Sequence, residues 1–175
     1  MSLSDVTIGD KAPAIVNVII EIPRGTQQNK YEMDKATGAI KLDRVNYVAM
    51  YYPCDYGYVP DTLCDDGDPL DALIVIDQPL PVGAVVSARV IGVMNMVDDG
   101  EGDEKLICVP ADDISQDHIK SVDDLGPHFK NYIAHYYTHY KDWKNDWKGV
   151  PIEINGWGGP DEAHAIVKQS QDKAK

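Results

Sequence analysis

Residues 65–75, "DDGDPLDALIV", place Asp65, Asp66, Asp68 and Asp71 within seven positions and then run straight into apolar residues. A continuous apolar run this short reads as a buried strand. Carboxylates at the mouth of such a strand lose part of their hydration, and a desolvated carboxylate needs a partner. The fold must therefore bring positive charge to the start of this strand or turn the aspartates wholly to water. A second acidic cluster, "DDGEGDEK", carries Asp98, Asp99, Glu101, Asp103 and Glu104 in a turn between two strand-like segments. Two solvated acidic turns are the plain alternative, since polar residues are common in turns. Asp68 and Asp71, flanking "PL", fit that alternative less well.

The segments around these clusters read mostly as strands. "AIVNVIIEIP" (14–23) is β-branched and ends at a proline. "KYEMDK" (30–35) and "AIKLDRV" (39–45) flank "ATG", a hairpin-like signal. "YYPCDYGYVP" (51–60), "DALIVI" (71–76) and "EKLICVP" (104–110) follow, and "AVVSARVIGVMNMV" (84–97) is long enough to bend at Gly92. The last third changes character. Ser121 with Asp124 resembles a capping box and Pro127 suits a first helical position, so a helix is expected from there to about Trp143. "VPIEINGW" returns to strand, and a second helix opens at Pro160 with Ala163, Ile166 and Val167 on one face. Strands followed by helices indicate an α+β, mainly β fold: a small barrel or curled sheet with helices outside.

At 175 residues the chain is most simply one domain, 1–175, with a real hydrophobic core. The formal net charge of −13 argues against nucleic acid or an anionic membrane as partner, because those contacts need clustered Lys and Arg. The N-terminus shows no signal peptide, and the longest apolar run, "ALIVI", is too short to cross a bilayer, so a cytoplasmic location is expected. Cys54, Cys64 and Cys108 form no C-x-x-C pair and read as small buried thiols.

A cation is the simplest partner for the aspartates. An EF-hand fails: Gly67 at its sixth position puts Thr62 first and Leu73 twelfth, and Gly100 there puts Leu106 twelfth. Hard oxygen ligands without a cage still suit Mg²⁺, which keeps its waters and shares phosphate oxygens. His135 and His139 are an i, i+4 pair able to take zinc, but no third ligand matches them, so packing or interface histidines are the better reading. Phosphate-binding glycine loops and nucleophile-serine motifs are absent. Lys30, Arg44 and Lys141 lie beside aromatic or apolar neighbours in strands and helix. Alone, each reads as an exposed charge. Together with the aspartates, they suggest cations on one side of a phosphate and basic side chains on the other.

At this point "DDGDPLDALIV" resembles the D-[S/G]-D-P-x-D signature of the soluble family I inorganic pyrophosphatases. "IEIPRG", "KYEMDK", "LDRV", "YPCDYGYVP", "DDGEGDEKL" and "AHYYTHYKD" follow in family order, from about residue 15 to 157, and the length is similar to the bacterial branch. The resemblance implies a five-stranded OB-like β-barrel with flanking α-helices. It implies Mg²⁺-dependent hydrolysis of pyrophosphate to two phosphates. By the family pattern Asp66, Asp71 and Asp103 hold one activating metal, Asp71 reaches a second, Asp98 with Asp103 holds a substrate-linked one, and Glu21 is a further metal position. Asp68 matches the residue that orients and deprotonates the attacking water. Lys30, Arg44, Tyr56, Lys105, Tyr140 and Lys141 match phosphate-side positions, while Glu32 and Asp99 belong to the same cavity. Asp55 stands where many relatives have Asn, and Asp99 where Glu is frequent. The bacterial branch is typically a homohexamer, with His135, His139 and Asp142 where subunits often meet. Such a contact implies association that weakens in acid as imidazoles charge.

A different Mg²⁺-dependent phosphohydrolase is one alternative. A non-catalytic, metal-stabilised OB-type binding module is another, and strand-borne Lys and Arg count against it.

Overall fold

The computed structural model describes residues 3–34 and 37–175. Among them run β1 (Ile15–Ile22), β2 (Asn29–Met33), β3 (Ile40–Val45), β4 (Asp55–Tyr58), β5 (Asp71–Ile74), β6 (Val85–Asp98), β7 (Glu101–Gly102), β8 (Lys105–Pro110) and β9 (Ile152–Gly158). Helices α1 (Pro127–His139) and α3 (Pro160–Lys173) are separated by a single turn, α2 (Lys144–Trp147), and by β9.

β1, β4, β5, β8 and β6 pair in that order, and β6 pairs back onto β1 from Ile15↔Arg89 to Ile19↔Val85. Five strands thus close a ring, the OB-like barrel expected, with edges paired rather than exposed. β5 and β8 are parallel and set Asp71 beside Lys105. β7 and β9 extend β6, and β2 with β3 forms a separate hairpin. The long strand β6 shifts register between Val90 and Gly92, at the expected bend. A Cβ on Gly92 would lie 2.6 Å from the Gly158 carbonyl oxygen and 2.7 Å from Val122 Cβ, so only glycine permits this approach.

Alternation along the strands feeds two apolar clusters. Val16, Val18 and Ile20 of β1 pack with Ala72, Leu106 and Cys108, and this cluster takes Ala163 and Val167 of α3. Leu73, Ile107 and Val109 face the other way, onto Ile133, Tyr136 and Tyr137 of α1.

Several boundaries differ from the sequence expectation. The strand expected over 51–60 is only Asp55–Tyr58, because Pro53 and Pro60 have no N–H and Tyr52 donates instead to the Thr26 carbonyl. The Ser121–Asp124 capping box closes a separate 3-10 turn, Val122–Leu125, and α1 starts afresh after Gly126. α1 ends at His139 rather than near Trp143, and Asn145, Asp146 and Trp147 then take φ of 54°, 54° and 63°. β2 stops at Met33; Lys35 and Ala36 of the expected hairpin lie outside the described residues, as do Met1 and Ser2. Cys54 and Cys108 are buried and Cys64 half-buried, all as free thiols. Among the described residues, no helix is long and apolar enough to cross a membrane.

Candidate active site

Every site residue singled out from the sequence lines one cavity of about 380 Å³. β1 brings Glu21, the β2–β3 hairpin brings Lys30, Glu32 and Arg44, and β4 brings Tyr56. The turn before β5 presents Asp66 and Asp68, and β5 opens with Asp71. β6 ends at Asp98. Asp99 and Gly100, with φ of 53° and 88°, then make a two-residue hairpin turn, so Asp98 pairs with Glu101. That turn sets Asp98, Asp99 and Asp103 on one rim. β8 opens with Lys105, and the end of α1 delivers Tyr140 and Lys141.

The turn carrying Asp66 and Asp68 is tied internally. The Asp68 N–H donates to Asp66 Oδ1 at 2.9 Å, and the Cys64 N–H donates to the Asp68 carbonyl at 2.8 Å, around Gly67 at φ 87°. Parallel pairing sends the Lys105 ammonium to Asp71 Oδ2 at 2.5 Å, and it also reaches Asp103 Oδ1. Its side chain is 3% exposed. Burial opposes its charge, but Asp71 and Asp103 outweigh burial and hold its pKa above the ordinary lysine range. Burial likewise pushes Asp103 up, against the pull of Lys105. Across the cavity, Lys141 and the Tyr140 hydroxyl (3.0 Å) both donate to Asp98 Oδ2. Lys30 bonds Glu32 and, at 3.3 Å, Asp43, which also accepts from Arg44 Nη1 at 3.0 Å.

Two features fit a divalent cation. Asp98 Oδ1 is buried with no hydrogen-bond partner among the described residues, an oxygen with its lone pairs unused there. Glu21, 6% exposed, accepts only the Met33 N–H at 2.7 Å among the described residues, and burial pushes its carboxyl up to about 8. No three His, Cys, Asp or Glu side chains form a ready-made cage among the described residues. Carboxylates spread round an open cavity suit Mg²⁺, which takes one or two carboxylates and keeps its waters.

Other expectations fall outside the cavity. Asp55 does not line it. Its buried carboxylate accepts from the Arg24 N–H (2.6 Å) and the Leu80 N–H (2.8 Å), anchoring two loops, and burial raises its pKa. His135 and His139 lie outside the cavity with ring centroids 4.7 Å apart and planes tilted by 58°, and His139 Nδ1 is 2.9 Å from Asp142 Oδ2. Met33 and Tyr58 line the cavity without having been singled out, and Glu101, named only within the second acidic cluster, lines it too. Tyr58 follows Tyr56 by two residues on one strand, so period-two reading was the available signal.

Residues 18–175 match the family model described as inorganic pyrophosphatase. An inorganic pyrophosphatase of Xanthomonas campestris is 45% identical over 175 residues, covering 99% of this chain and 97% of that protein. The solved inorganic pyrophosphatase of Thermus thermophilus superposes with a TM-score of 0.93 at 41% identity, covering 99% of each chain. That of Helicobacter pylori gives 0.88 at 37%, covering 97% of this chain and 98% of that one. With the fold, the cavity and these full-length likenesses in agreement, the chain belongs to the inorganic pyrophosphatase family of hydrolases, in its bacterial form.

Proposed function

We propose that this chain hydrolyses inorganic pyrophosphate to two phosphates, with Mg²⁺ as cofactor and water as nucleophile. One observation carries the reading: nine carboxylates and four cationic side chains line a single cavity of about 380 Å³. A polyanion is repelled by such an excess of carboxylates unless divalent cations enter with it. The cationic side chains in turn have no need of one another, but suit phosphate oxygens.

Asp66, Asp71, Asp103, Asp98 and Glu21 would hold Mg²⁺, which when bound supplies charge compensation to phosphate oxygens and acidifies a water. Asp68 accepts the water proton as the water oxygen bonds to one phosphorus and the bridging P–O bond breaks. Lys30, Lys105 and Lys141 hold phosphate oxygens, exchanging their present carboxylate partners for substrate, and Arg44 adds its guanidinium N–H groups. Tyr56 and Tyr140 add neutral donors, and burial, with Asp71 beside Tyr56 and Asp98 beside Tyr140, keeps both phenols protonated. Glu32 and Asp99 shape the acidic wall.

We extend the reading to a single catalytic domain over 1–175, working in the cytoplasm as a homohexamer that meets through His135, His139 and Asp142. Sedimentation tests the assembly, and a monomer mass at micromolar concentration contradicts it. The activity is tested by phosphate release from pyrophosphate, ATP and a phosphate monoester, with and without Mg²⁺. Release from pyrophosphate that needs Mg²⁺ and collapses in Asp68→Asn supports the assignment. Preference for ATP or the monoester supports another phosphohydrolase, and metal binding without turnover supports a binding module.

A further inference from the structure

We propose that Asn46 is a positioning residue that holds the Arg44 guanidinium for phosphate; this rests on the reading of Arg44 as a phosphate-side group. Asn46 follows the end of β3 and is fully buried, with 0% exposure. Its N–H is fixed to the Gln28 carbonyl at 2.7 Å. Two residues apart on an extended backbone, Arg44 and Asn46 share a face, and Arg44 Nε donates to Asn46 Oδ1 at 3.1 Å. An arginine Nε can only donate, so the amide oxygen must face it. The amide nitrogen is thereby turned into the protein, where Nδ2 is buried with no partner among the described residues.

An unmade bond at a buried donor is costly, and an apolar side chain of the same shape would avoid the cost. What the amide supplies is the contact to Nε. On the other side of the guanidinium, Nη1 donates to Asp43, whose side chain is 32% exposed and also serves Lys30. Asp43 alone is a loose tether. With Nε and Nη1 both engaged, the plane of the fork is set and its Nη2 end is left for a phosphate oxygen.

The test is Asn46→Leu, of similar volume and without an acceptor. Its KM for pyrophosphate rises about tenfold, within reach of one charge-assisted hydrogen bond, while kcat changes less than about twofold. Product inhibition by inorganic phosphate weakens in parallel. The thermal midpoint stays level or rises, because a buried unpaired donor is removed; a merely structural role predicts a lower midpoint. Asn46→Asp, which keeps an oxygen toward Nε, holds KM within about threefold. In an Arg44→Ala background, Asn46→Leu adds nothing further. An unchanged KM in Asn46→Leu, or the same rise with Arg44 already removed, overturns the proposal. A wild-type KM in Arg44→Ala alone overturns the phosphate role of Arg44, and the proposal with it.

Discussion

Glu21→Gln isolates the energetic consequence of a buried carboxyl. Glu21 is 6% exposed, and burial lifts its pKa from 4.5 to about 8, with the Met33 N–H pulling down and Asp71 adding to the rise. The folded state therefore holds this proton more tightly than the unfolded chain between those two values. Stability carried by the neutral form is complete at low pH and is lost as pH rises from 4.5 toward 8. Each unit of that window is worth about 1.4 kcal/mol, and the divalent-free wild type loses about 2 kcal/mol through this group between pH 6 and 8. Glutamine keeps the volume and the oxygen that accepts from Met33, but does not titrate. Urea unfolding in chelator across that pH range compares the two proteins, and the other titrating groups cancel. The variant gains about 2 kcal/mol on the wild type as pH rises. A cation drawn by Glu21 displaces its proton, so Mg²⁺ affinity rises with pH in the wild type more than in the variant. Parallel stability curves for the two proteins refute the buried-proton argument.

Lys105→Met leaves Asp71 and Asp103 without the ammonium between them and costs about 3–5 kcal/mol in chelator, with Mg²⁺ recovering part of the loss; an unchanged urea midpoint contradicts this. Asp55→Ala removes the acceptor for the Arg24 and Leu80 N–H groups and costs about 2–4 kcal/mol. Because Asp55 stands outside the cavity, KM moves less than about twofold, and a large KM change at full stability refutes the anchoring role. Gly57→Ala puts a Cβ 2.1 Å from the Ile19 carbonyl across the β1–β4 pair. It costs about 3 kcal/mol or more, read as a lowered thermal midpoint.

Much of the site was legible because its residues cluster locally. Asp66, Asp68 and Asp71 lie within one turn and strand start, and Asp98, Asp99 and Asp103 within one hairpin. An acidic run that enters an apolar strand announces itself through the cost of desolvation. Asn46 gave no such signal. A single Asn after a strand looks like a turn residue, and only its burial and its contact to Arg44 give it a task. Asp55 read only as a departure from the family pattern, where many relatives have Asn, but its neighbours in space are two loop N–H groups, brought there by β4 and the turn before Leu80.

The chain's local chemistry determined strand-forming segments, two helices, the bend at Gly92 and the acidic balance that demands cations. Those follow from side-chain period, turn residues and charge, which act over a few neighbours. Tertiary structure alone decided that Glu21 becomes a buried carboxyl, that Lys105 sits between Asp71 and Asp103, and that Tyr140 and Lys141 reach Asp98. Each depends on long-range pairing: β6 closing onto β1, β5 lying parallel to β8, and α1 ending at His139, just before Tyr140. Sequence period sets which way a side chain points from its own strand, but which strand lies opposite is settled by closing the barrel.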